Sequence, residues 1–161
     1  MSASHRNEGP TIVVGTGPGT APLRIEDVGA IAAGRARARL SGDPRFADRI
    51  ERGAAFAEDG VIYGVTTGYG DSCTVVIPPS LVHELPHHLF TYHGCGGGRL
   101  LSPEETRSVL VARLASLAQG MSGVSLALLK QIEAFLHHDL LPLIPAEGSV
   151  GASGDLTPLS Y

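Results

Sequence analysis

Near the C-terminal end of the chain, Ala152-Ser153-Gly154 stands inside the run Gly148-Ser149-Val150-Gly151-Ala152-Ser153-Gly154-Asp155-Leu156. Gly151 and Gly154 relax the backbone on both sides of Ser153. A turn that tight could bring the Gly154 nitrogen onto the Ala152 carbonyl carbon. Loss of two waters would then leave a five-membered imidazolone with an exocyclic methylene, an electrophile that no ordinary side chain supplies. The same residues also suit a glycine-rich helix cap, and the run by itself leaves both readings open.

A second constellation is Ile62-Tyr63-Gly64-Val65-Thr66-Thr67-Gly68-Tyr69-Gly70. Gly64, Gly68 and Gly70 permit tight turns and close approach of backbone to a ligand. The order GxGxxG of a dinucleotide site is absent, and no GK[ST] follows to make a phosphate loop. A tyrosine here could act as a general base if donors or helix ends stabilised its phenolate. The alternative is a surface turn holding a core-packed aromatic.

Other reactive side chains carry less. His83 and His87, four apart on an expected helix, share a face but lack a third ligand, and there is no HExxH. His137-His138 closes a helix, where histidine suits the dipole. No metal site is expected. Cys73 and Cys95 have no fixed histidine and acid beside them, so inert thiols are expected rather than nucleophiles. Ser153 lacks the GxSxG context of an elbow serine.

These residues must be held by a scaffold, which composition bounds. The chain has 161 residues, 43% hydrophobic and 17% charged, enough for one globular domain with a core. A net charge of −4 with no basic block argues against nucleic acid. No apolar run is long enough to cross a membrane, and residues 1–9 do not read as a signal peptide. Two cysteines make no disulfide framework, and reduced thiols in a cytoplasmic protein are the simpler reading.

The pattern predicts a mainly α fold. Residues 1–10 read as a disordered tail, and 11–161 as one portion of a longer polypeptide, because the apolar segment from Asp155 to Tyr161 stops without a cap. Thr11 to Val14 reads as a short strand that could pair with one other, although the sequence does not supply a sheet. Helices are expected over 25–40, 44–58, 80–92, 103–119 and 124–140. Ser102-Pro103-Glu104-Glu105 is a capping box with proline at the first helical position. Val109, Leu110, Leu114, Leu117 and Ala118 are expected to be buried.

Together, the Tyr63 loop and the Gly148–Leu159 run resemble the two signatures of the aromatic amino acid ammonia-lyases and 2,3-aminomutases. Ala112 to Val124 resembles the helix-to-turn region between them. The resemblance is close over 60–161 and general before that. It implies the N-terminal portion of an ammonia-lyase-like fold with the start of a long-helix bundle. It also implies that Ala152, Ser153 and Gly154 cyclise to a 4-methylidene-imidazole-5-one without any external cofactor. Tyr63 resembles the family's catalytic base. His93 resembles a histidine facing the substrate side chain, Tyr92 falls on a selectivity position, and Gly70 closes the tyrosine loop beside the substrate.

The implied activity is that of a carbon–nitrogen lyase or aminomutase on an aromatic L-amino acid. The polar His93 favours tyrosine or histidine over phenylalanine. A homotetramer is implied, with the carboxylate-binding residues and a second tyrosine loop coming from the rest of the polypeptide or a complementary chain. The chain departs from the family pattern at His88, usually Asn, and at Tyr92, often Ser. Its Gly96-Gly97-Gly98 triplet is also richer in glycine than usual. A helical assembly protein that keeps the fold without catalysis is the alternative, and formation of the imidazolone separates the two.

Overall fold

The computed structural model describes residues 9–17, 20–56, 60–148 and 156–161. Among these the order of elements is β1 (Thr11–Val14), α1 (Ile25–Ala32), β2 (Arg37–Leu40), α2 (Pro44–Phe56), α3 (Leu85–His93), β3 (Gly97–Leu100), α4 (Pro103–Leu117), α5 (Leu126–His138) and β4 (Pro145–Glu147). Short 3₁₀ turns occupy Gly70–Thr74 and Pro158–Ser160. The chain divides into two compact units, one of Met1–Phe56 with Ser102–Pro142, the other of Ala57–Leu101 with Leu143–Tyr161. The fold is mainly α, as the sequence predicts.

The first unit departs from expectation between residues 33 and 40. The helix predicted over 25–40 stops at Ala32. Gly34 takes φ +71°, its N–H donates to Ile31 O at 3.0 Å, and Arg35 N–H donates to Ala30 O at 2.8 Å. These two bonds form a Schellman motif, in which a left-handed glycine satisfies the last helical carbonyls. The chain then becomes β2, which pairs in parallel with β1 in the register Thr11↔Arg37 to Val14↔Leu40. The partner strand thus lies within the segment read as helix. Its period-two alternation, Arg37-Ala38-Arg39-Leu40, is hidden by the alanine-rich helical spacing before it. Pro10 belongs to this arrangement, since its carbonyl accepts from Arg37 N–H at 3.0 Å.

The remaining helices of this unit follow their local signals. Asp43 Oδ1 accepts from Arg45 N–H at 2.9 Å, and Pro44 takes the first position of α2. Ser102 and Glu105 form both bonds of the capping box at the start of α4. Ser125 Oγ accepts from Leu128 N–H to cap α5, which ends at Asp139 with φ +58°. The core joins Val14, Leu40, Phe46, Ile50, Leu114, Leu117, Ala118 and Leu129. On α4 the buried positions are Thr106, Val111, Leu114 and Leu117. Val109 and Leu110, expected inside, are half-buried, because the face through Val111 and Leu114 is the one turned inward.

In the second unit, α3 begins at Leu85 rather than at Ser80. Pro86 lacks a backbone N–H and is tolerated only in a first helical turn, so the helix cannot extend far before it. Residues 97–100, just past the end of α3, form β3 antiparallel to β4. No helix among the described residues is long and apolar enough to cross a membrane.

Candidate active site

The loop that carries Tyr63 is folded by its own threonines. Thr66 Oγ1 accepts from Ile62 N–H at 2.7 Å, and buried Thr67 accepts through Oγ1 from Gly64 N–H at 3.2 Å. Side-chain oxygens that capture nearby amides make local turns of this kind. Thr66 O then accepts from Ile77 N–H at 2.8 Å, and Gly68 N–H donates to Val75 O at 3.0 Å, which fastens the loop to the segment after it.

Within this frame the Tyr63 oxygen accepts from Gly70 N–H at 2.8 Å. The Tyr63 and Tyr69 rings meet edge to face, with centroids 6.1 Å apart and planes at 89°. Gly64 makes that contact possible. Its φ is +72°, and a Cβ there would come within 2.6 Å of the Tyr69 ring. Burial, and then the neighbouring Tyr63 phenol, raise the Tyr69 hydroxyl above the ordinary tyrosine range. Tyr69 therefore keeps its proton, while Tyr63 remains 62% exposed and open to a reactant.

A second pair stands at the end of α3. His93 Nδ1 lies 2.9 Å from Leu89 O. A carbonyl only accepts, so Nδ1 carries the proton, and in the neutral ring Nε2 is an acceptor. The Tyr92 ring stacks edge-on against His93, with centroids 5.1 Å apart. Tyr92 itself is 79% exposed.

The glycine triplet lies against β4 and the C-terminal Tyr161. Gly96 N–H donates to the Tyr161 hydroxyl at 2.8 Å, and a Cβ at Gly96 would meet Pro145 at 2.8 Å. Gly98 has φ +74° and lies against Glu147. Only glycine lets β3 approach β4 this closely. At the far end of β4, a Cβ on Gly148 would touch Thr157 Cγ2 at 2.5 Å and Gly96 Cα at 3.3 Å. Gly148 and Thr157, on either side of 149–155, therefore meet beside the end of α3. Ala152, Ser153 and Gly154 lie outside the described residues.

The predicted residues thus fall into two pairs, Tyr63 with Gly70 and Tyr92 with His93. Among the described residues no hydrogen bond or ring contact joins one pair to the other. Sequence reasoning assigns no role to Tyr69, Thr66 or Thr67, although the two threonines stand at the spacing of local side-chain turns. It also passes over Thr157, which is fully buried and whose Oγ1 has no hydrogen-bond partner among the described residues.

Residues 23–161 match the aromatic amino acid lyase family. Over 144 residues, 86% of this chain, the sequence is 39% identical to histidine ammonia-lyase of Bos taurus and equally to tyrosine 2,3-aminomutase of Chondromyces crocatus. It spans 22% of the length of the first and 27% of the second. The crystal structure of tyrosine aminomutase from Streptomyces globisporus superposes with a TM-score of 0.77 at 29% identity, covering 94% of this chain and 28% of that one. Signatures, fold and relatives agree, and the chain belongs to the aromatic amino acid lyase family.

Proposed function

We propose that this chain contributes to an ammonia-lyase or 2,3-aminomutase acting on an aromatic L-amino acid, tyrosine or histidine in preference to phenylalanine. The observation that carries the reading is the Tyr63 oxygen fixed on Gly70 N–H at 2.8 Å in a loop built to hold it. Family membership supports an autocatalytic methylidene imidazolone, and Ala152-Ser153-Gly154 is the tripeptide from which it would form. That group would supply a carbon electrophile for the substrate's α-amine.

Tyr63 is the base. As phenolate it takes the β-proton, while Gly70 N–H faces the oxygen on which the charge sits. Tyr69 stays protonated beside it and positions its ring by the edge-to-face contact. His93 reads the substrate side chain through Nε2, which accepts from a phenol hydroxyl or an imidazole N–H and finds no donor on a phenyl ring. Tyr92 walls the same side. The products are an aryl acrylate and ammonia, or the β-amino acid if ammonia is retained. The carboxylate-binding residues would come from the rest of the polypeptide or a complementary chain, in a cytoplasmic homotetramer.

Intact mass spectrometry tests the electrophile directly. The parent chain should lack the mass of two waters, and Ser153→Ala should restore it. Turnover of tyrosine, histidine and phenylalanine, scored as acrylate against β-amino acid, then assigns substrate and outcome. An unmodified mass in folded, assembled protein would overturn the proposal in favour of a non-catalytic assembly role.

A further inference from the structure

A cavity of about 410 Å³ opens between β2 and α5 in the first unit, within the size range of small-ligand sites. It shares no residue with the candidate active site. Arg37 and Arg39 line it from β2, and Lys130, Glu133, His137 and His138 line it from α5. Alternate residues of a strand share a face, so the two arginines stand together while Leu40 turns into the core and Ala38 packs against it. Lys130, Glu133 and His137 follow helical spacing and share a face of α5.

The cavity's electrostatics oppose those of the whole chain. The chain carries a net charge of −4, yet here Arg39 and Lys130 face a single carboxylate. That carboxylate is already engaged, since Glu133 Oε1 accepts from Leu40 N–H at 2.8 Å. Arg39 and Lys130 have no ion-pair partner among the described residues. The backbone adds a donor. In a parallel pair, alternate N–H groups face opposite edges. Those of Arg37 and Ser41 point to the β1 side, to Pro10 O and Val14 O, so Ala38 N–H points away from it, where Ala38 lines the cavity. The carbonyl end of α5 opposes an anion, but His137 and His138 present ring N–H donors at that end.

We propose that this cavity binds a small phosphate-bearing anion. A planar carboxylate is satisfied by one guanidinium fork. Here donors converge from the side chains of a strand, the Ala38 amide on its edge and a facing helix, which suits a tetrahedral group with oxygens in several directions.

Titration of the whole chain with pyrophosphate, followed by calorimetry, tests this. Sodium chloride at matched ionic strength and citrate serve as comparators. Saturable binding of pyrophosphate at least tenfold tighter than citrate is expected. Replacing both Arg39→Ser and Lys130→Ser should weaken it at least tenfold with the circular dichroism spectrum unchanged. Glu133→Gln keeps an oxygen for Leu40 N–H and removes the opposing charge, so it should tighten binding about threefold. No saturable response, citrate binding as tightly as pyrophosphate, or equal affinity in parent and variants would overturn the proposal.

Discussion

The phenol of Tyr63 has one oxygen, which accepts from Gly70 N–H and is the proton acceptor in the proposed reaction. Tyr63→Phe keeps the ring that meets Tyr69 and removes only that oxygen. It should lower kcat about a thousandfold, within the range for loss of a general base, while leaving the mass deficit at Ser153 intact. A turnover assay and a mass spectrum read the two effects separately. His93 offers a contrasting test, because its bonded Nδ1 leaves an acceptor for a polar ring. His93→Leu should reduce kcat/KM for tyrosine or histidine at least tenfold, roughly 1.4 kcal/mol of transition-state binding, and leave phenylalanine unchanged or improved. Parallel loss for all three substrates would remove His93 from side-chain recognition.

At the scale of elements, local signals and non-local pairing have different reach. The start of α4 is written in four consecutive residues, and both reciprocal bonds form as the capping box requires. Ser102→Ala should therefore cost about 1 kcal/mol, measured as a lower denaturant midpoint at constant slope. The strands are less legible. β2 follows an alanine-rich helix across Gly34, and β3 contains the glycines that ordinarily mark a break. Each is a strand because a partner lies alongside, β1 for one and β4 for the other. The glycine triplet gains its meaning only there, since side chains at Gly96 and Gly98 would strike Pro145 and Glu147.

At the scale of the whole molecule, burial is concentrated where α4 meets its neighbours. Leu114 is fully buried in a core that also draws on β1, β2, α2 and α5. Leu114→Ala should destabilise the chain by about 3 kcal/mol, the middle of the range for a buried leucine, and thermal or denaturant unfolding would show it. A loss below about 1 kcal/mol would mean that this core does not govern stability. The second unit exposes Val61, Tyr63, Val76, Leu81, Tyr92 and Leu143, in keeping with a chain that spans 22% to 27% of its curated relatives' length.

What the amino-acid sequence determined by itself was chemistry and local form. Ala152-Ser153-Gly154, the tyrosine loop and the helix caps are runs of neighbouring residues, and short-range sterics and hydrogen bonding give such runs their character wherever they occur. Only the tertiary structure decided which strands pair, which face of α4 turns inward, and that the half-buried Tyr69 hydroxyl is raised above the ordinary tyrosine range. It alone brought Gly148 and Thr157 together beside Gly96. Those outcomes depend on contacts between residues far apart in the chain, and neither propensity nor periodicity encodes a distance of that kind.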